Sequence, residues 1–130
     1  MDALAEIRTR LLKYPALRVE ESENSITVLP LDSAGFPVSI HVADEEVVVA
    51  FAGWHEHFES AEEALDCFAF GLSRECRLKV FTRGGFAYRW TVESLENGNW
   101  AEDSTTGLLF FPFWRRREVV YFQNRVIPAG

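Results

Sequence analysis

Residues 26–51 read ITVLPLDSAGFPVSIHVADEEVVVAF, and the spacing within this stretch decides the class of fold. β-Branched and aromatic residues alternate with polar ones around two turn signals, the pattern of half-buried antiparallel strands. Taking Ser33-Ala34-Gly35 as a three-residue hairpin loop with glycine in the left-handed position pairs Asp32 with Phe36, Pro30 with Val38, Val28 with Ile40 and Ile26 with Val42. A second turn at Asp44-Glu45 pairs Val42 with Val47, Ile40 with Val49 and Val38 with Phe51. Both registers gather the apolar residues on one face, so three strands form a meander with one dry side.

That dry side needs a cover, and the flanking sequence supplies helices. Leu4, Ile7 and Leu11 recur at helical spacing from Ala3 to Tyr14, with Asp2 as cap and Pro15 as stop. Leu17 and Val19 alternate with charged residues as a short strand before the meander. Beyond it, Ser60 and Glu63 have capping-box spacing, and Ala61, Ala64, Leu65, Phe68 and Leu72 form the apolar stripe of a second helix that runs to about Ser73.

The second half returns to strands. A three-residue loop Arg83-Gly84-Gly85 sets Thr82 opposite Phe86, Val80 opposite Tyr88 and Leu78 opposite Trp90; a two-residue Gly-Gly loop splits these between faces and is rejected. Asn97-Gly98 marks another hairpin. Arg115-Arg116-Arg117 is expected to link a last pair, GLLFFPFW and EVVYFQNRV, with Pro112 confining its strand to an edge. The expected architecture is one α+β domain over 1–130, two helices packed on a curved, mainly antiparallel sheet of eight to nine strands.

Composition narrows the functions. Residues 1–65 hold 4 Lys and Arg against 13 Asp and Glu, whereas 66–130 hold 9 against 7. The overall net charge of −7 argues against duplex nucleic acid, whose phosphates draw affinity from clustered cations. No apolar run approaches the roughly 20 residues that span a bilayer, and no secretory signal is visible, so the expected location is cytoplasmic and off the membrane. Cys67 and Cys76 lack metal-ligand or CxxC spacing and read as free thiols.

Three segments carry candidate chemistry. His55-Glu56-His57 sits where a strand hands over to a helix, and alternate strand residues point the two imidazoles to one side. Zinc or another divalent metal needs a third ligand. His41 is placed about 17 Å from the Gly53 level by the meander register, which leaves Asp32, whose loop turns at the same end; Ser33 beside it makes no triad. The second segment is RGGFAYRW, where the register puts Lys79 beside Arg89, two like charges that require an acidic answer, from Glu93 or the acidic N-terminal half, or else from an anionic ligand or acidic partner surface; Arg74 and Arg77 extend the patch if they face the same way. The third combines Phe113, Trp114, Arg115, Arg116, Arg117 and Tyr121, a mixture that suits a buried hairpin with a charged, solvated tip, a protein interface, or the stacking of single-stranded bases.

No nucleophile elbow, activated-cysteine motif or phosphate-binding glycine loop occurs, so an enzyme is the secondary reading. The expectation is a small binding or interaction protein that uses the aromatic and arginine-rich hairpin surface for a protein partner or for self-association. The alternative is a metal-assisted or small-ligand site at the rim of Asp32, His55 and His57.

Overall fold

Both helices start where a side-chain oxygen replaces a missing backbone partner. Asp2 accepts the Ala5 N–H and Ser60 accepts the Glu63 N–H, as their spacing requires. The computed structural model describes residues 2–126. Its elements are α1 (Ala3–Leu11), β1 (Val19–Glu21), β2 (Ser25–Val28), β3 (Val38–Ala43), β4 (Glu46–Phe51), β5 (Trp54–Phe58), α2 (Ala61–Leu72), β6 (Cys76–Arg83), β7 (Phe86–Glu96), β8 (Asn99–Gly107) and β9 (Arg117–Phe122). The fold is α+β with nine antiparallel strands, divided between a five-stranded sheet, β1-β2-β3-β4-β5, and a four-stranded sheet, β8-β7-β6-β9. Among the described residues no helix is long and apolar enough to cross a membrane.

The meander has the expected dry face. Ile26, Val28, Val38, Ile40, Val49 and Phe51 are fully buried, and they share one core cluster with Ile7, Leu65, Phe68 and Leu72 from the helices and Leu78, Val80 and Val92 from the second sheet. The β3–β4 register is the one read from sequence. The β2–β3 register differs by two residues, with Ile26 opposite Ile40 and Val28 opposite Val38. Pro30 and Pro37 end the ladder because neither can donate to it. Between them Asp32 closes its own turn by accepting the Ala34 N–H. A shift of two preserves which side chains face inward, so the core survived the error in the loop.

The β6–β7 hairpin also departs from expectation. Its turn is the two-residue Gly84-Gly85, both at positive φ, of 58° and 86°. By itself that turn would put the apolar residues of β7 on the wrong face. A bulge absorbs the difference: beyond Arg83↔Phe86 and Thr82↔Ala87, Tyr88 is the extra residue, and pairing resumes at Phe81↔Arg89, Val80↔Trp90 and Leu78↔Val92. Asn97 and Gly98 form the expected tight turn, with φ of 51° and 82°.

The expected last hairpin does not form. β8 ends at Gly107, residues 108–116 make a loop across the Gly84-Gly85 end, and β9 pairs with β6 on its far side. Beyond Gly107, the last residue of β8, the GLLFFPFW stretch contributes no strand. Its residues turn, with Arg115 N–H bonded to the Pro112 carbonyl and Phe111 stacked on Tyr88 at 4.2 Å. The first helix likewise stops at Leu11 and continues to Tyr14 as tight turns.

Two points fix the sheets to one another. Trp54, stacked on Phe51 at 4.6 Å, donates its indole N–H to Ser104, and the His55 N–H reaches Thr106, so β5 meets β8 through side chains. At the other end Asn124 accepts the Phe36 N–H and donates to the Gly71 carbonyl, while the Gln123 N–H bonds Ala34 and the Val126 N–H bonds Leu72. Gly71 is required there, since a Cβ would lie 2.3 Å from the ring of fully buried Phe51.

Gly71→Ala should therefore destabilise by about 1–3 kcal/mol through overpacking, despite the helix propensity it adds. Asn124→Ala should cost about 2 kcal/mol by stranding two backbone groups. Urea unfolding midpoints check both.

Candidate functional site

Alternation along β6 sends Cys76, Leu78 and Val80 into the core and leaves Arg77, Lys79, Phe81 and Arg83 on the outer face. Register adds Glu93, Thr91 and Arg89 from β7 on one side and Tyr121, Val119 and Arg117 from β9 on the other. The result is a cationic sheet face with aromatic residues set into it.

Phe81 lies at its centre and is only 4% exposed although it points away from the core. Long cationic side chains cover it: Lys79 lies 5.1 Å, Arg89 5.3 Å and Arg117 4.9 Å from the ring centroid. Arg83 lies over Tyr88, itself stacked on Phe111 of the loop. The bulge at Tyr88 makes this contact possible, and the Tyr88 carbonyl accepts the Leu108 N–H.

The charges fall into two groups. Arg77 is ion-paired to buried Glu93 and held between Trp100 at 4.5 Å and Tyr121 at 4.2 Å. Lys79 reaches Glu102 at 4.0 Å. The expected Lys79–Arg89 pair is absent, since Lys79 faces Thr91 and Arg89 faces Phe81; Glu93 answers Arg77 and Glu102 lies near Lys79, while Arg89 meets no carboxylate among the described residues. Among the described residues Arg83, Arg89, Arg115, Arg116 and Arg117 take part in no ion pair. The Arg83 Nε is buried without a partner, while its Nη1 donates to the Arg115 carbonyl.

Beside this face the loop presents Phe110, 89% exposed, and Phe113 and Trp114, each 71% exposed. Phe113 and Trp114 meet edge to face at 5.3 Å. Tyr121 is exposed on β9. Lys79, Arg89, Arg117 and Tyr121 thus share the outer face of the second sheet, and the loop that carries Phe113, Trp114, Arg115 and Arg116 crosses its Gly84-Gly85 end. Arg83 and Trp100 belong with them and were missed. Arg83 was visible as the fourth member of the alternation Arg77, Lys79, Phe81, but Trp100 had no local signal.

The histidine segment is a complete strand. Ala52 and Gly53 turn the chain back along β4, placing His57 opposite Val48 and His55 opposite Ala50. This corrects the expected strand exit at Gly53 and the separation from His41. His41 also lies opposite Val48, so His41 and His57 share one cross-strand row, two strand spacings or about 10 Å apart. The His55 and His57 rings are 5.7 Å apart, and His57 Nδ1 contacts Glu46. Asp32 lies elsewhere, lining a recess with Arg77, Trp100, Tyr121, Gln123 and Arg125. Among the described residues no three His, Cys, Asp or Glu side chains gather as metal ligands.

An apolar cleft of about 250 Å³ lies between the sheets, lined by Phe36, Val80, Trp90 and Phe122 among others. Its lining includes no charged group to orient a ligand. The two thiols are free. Burial first, then the charges of Glu56 and Asp103, push the Cys67 thiol up to about 12, and burial raises Cys76 also.

No protein-family model, curated protein or solved structure matches this chain.

Both thiols should resist a disulfide reagent at pH 8 and react fast once the chain is unfolded in urea. Because their folded pKa values lie above the unfolded one, their stabilisation is complete below about pH 9 and declines as pH rises above it. A pH series of urea midpoints, with Cys67→Ala as comparison, measures that decline.

Proposed function

We propose that this protein is an interaction module that docks an acidic surface of a protein partner on the outer face of its second sheet. The observation carrying this reading is the set of arginines without an ion pair among the described residues, Arg83, Arg89 and Arg117, arranged around Phe81 and Tyr88, with the exposed Phe113 and Trp114 on the loop that crosses the end of the same sheet. Arginine, tryptophan and tyrosine are the residue types that contribute most at interface centres, because each combines apolar area with polar or cationic atoms. Arg89 and Arg117 are already positioned against an aromatic ring, so little side-chain freedom is lost on binding.

Charge supports a protein rather than a nucleic acid. The chain is acidic as a whole, at −7, and its cations concentrate in the second half. A long polyanion would meet repulsion beyond the local patch, whereas a compact acidic surface would meet only the cationic face. The same asymmetry would orient the partner during approach.

Titration with poly-L-glutamate at about 20 mM salt, followed by tryptophan fluorescence, tests the reading. Binding should weaken as salt is added, and Arg89→Glu with Arg117→Glu should reduce affinity by at least about tenfold. No binding at low salt, or an unchanged affinity in the double variant, would overturn it. Tighter binding of oligo-deoxythymidine at matched charge would favour single-stranded nucleic acid instead.

A further inference from the structure

β9 is the terminal strand of its sheet, and its exposure is unusual on both sides. Every residue from Arg117 to Tyr121 is exposed, including Val119 at 38% and Val120 at 41%. Strand edges that avoid association are short, charged at the centre, bulged or covered. β9 is short, with its charges at Arg117 and Glu118, but its middle is neither charged, bulged nor covered: Val119, Val120 and Tyr121 follow one another, and its pairing with β6 is regular.

The ladder identifies which backbone groups are free. The Gly84 N–H bonds the Arg116 carbonyl, marking this as a hydrogen-bonded pair of the β6–β9 register. Alternation then turns the backbone groups of Glu118, Val120 and Phe122 toward β6 and those of Arg117, Val119 and Tyr121 outward. The Gln123 N–H, next in the outward series, bonds Ala34, which confirms the direction and closes the edge there.

We infer that β9 pairs antiparallel with β9 of a second copy of this chain, with Val119 on the two-fold axis. Outward groups can bond only to outward groups, and one register uses all three residues: Arg117 with the partner's Tyr121, Val119 with the partner's Val119, and Tyr121 with the partner's Arg117. Each bonded pair exchanges two backbone hydrogen bonds, and the two sheets become one continuous sheet. The charges fit this register. It sets the two Arg117 residues roughly 13 Å apart, places each guanidinium beside a tyrosine ring, and puts Glu118 opposite valine rather than opposite another glutamate. It also brings the partner's Arg117 to the side of the recess that holds Asp32, a carboxylate with no ion pair among the described residues. The edge is short, so the dimer is expected to dissociate on dilution. This inference rests on the open backbone edge of β9, whereas the acidic-partner reading rests on the side chains of the face; Arg117 and Tyr121 belong to both.

Sedimentation equilibrium across a concentration series should show mass rising from the 14.9 kDa chain toward twice that value. Val119→Pro removes an outward donor and leaves the bonds to β6 in place, so it should raise the dissociation constant at least about tenfold while thermal unfolding stays cooperative. Val119→Lys provides the same test without a backbone change. Under mild oxidation Val119→Cys should cross-link, since opposed residues of a bonded pair lie about 5.5 Å apart at Cα. Glu118→Cys should not, its two copies being separated by about 8 Å. In hydrogen exchange the Arg117, Val119 and Tyr121 amides should become protected as concentration rises. A monomer at every concentration overturns the inference. So does a dimer that survives Val119→Pro and Val119→Lys, or one in which Val119→Cys fails to cross-link, since either places the contact on another surface. None of these results depends on poly-L-glutamate binding.

Discussion

The side-chain amide of Asn124 satisfies two backbone groups from separate parts of the chain. It accepts from Phe36 in the loop between β2 and β3 and donates to Gly71 near the end of α2. A half-buried N–H or carbonyl without a partner costs on the order of 1–3 kcal/mol, so the contact fixes where the chain must go after β9. Its neighbours reinforce it through Ala34 and Leu72. The consequence reaches the opposite side of the molecule: with residues 123–126 held at the helix end, β9 is aligned along β6, and Arg117 comes to lie over Phe81.

A large part of the fold was legible in the chain. Capping residues, alternation and turn glycines located both helices and most strands, because each is a local signal. The dry face of the meander was read correctly even though the β2–β3 register was displaced by two residues, since inward-facing identity depends on parity alone. The Gly84-Gly85 turn was rejected for breaking that parity, and a bulge at Tyr88 restores it. A bulge has no sequence mark when the residue it displaces is itself aromatic and suited to either face. The pairing of β9 with β6 was not legible either. Chain adjacency favours a hairpin, and only the unpaired side of β6 and the Asn124 contact, both tertiary facts, favour the insertion.

The candidate site was legible as a list of residues but not as an arrangement. Lys79, Arg89, Arg117, Trp114 and Tyr121 were singled out as separate fragments of sequence. Their union depends on β9 lying beside β6, and the shielding of Phe81 depends on three cations contributed by three strands. Asp32 illustrates the converse. Its loop turns at the level inferred from the meander, yet its recess is shared with Arg77 and Tyr121 and lies apart from the histidines, because the second sheet occupies that side. His57 came back toward His41 for an equally simple reason, a tight turn at Ala52-Gly53 where a departure had been expected.

The non-sequential place of β9 has a consequence for how the chain folds. The first sheet joins strands that are neighbours in sequence, so its pairs can close early at small entropic cost. β6 must wait through an excursion of 33 residues, between Arg83 and Arg117, before its second side is paired. During that interval its edge presents Leu78 and Val80 beside open backbone groups, the combination most exposed to intermolecular pairing. Losses during refolding should therefore depend on how quickly β9 arrives, and destabilising changes in residues 117–126 should act on yield before they act on the finished fold.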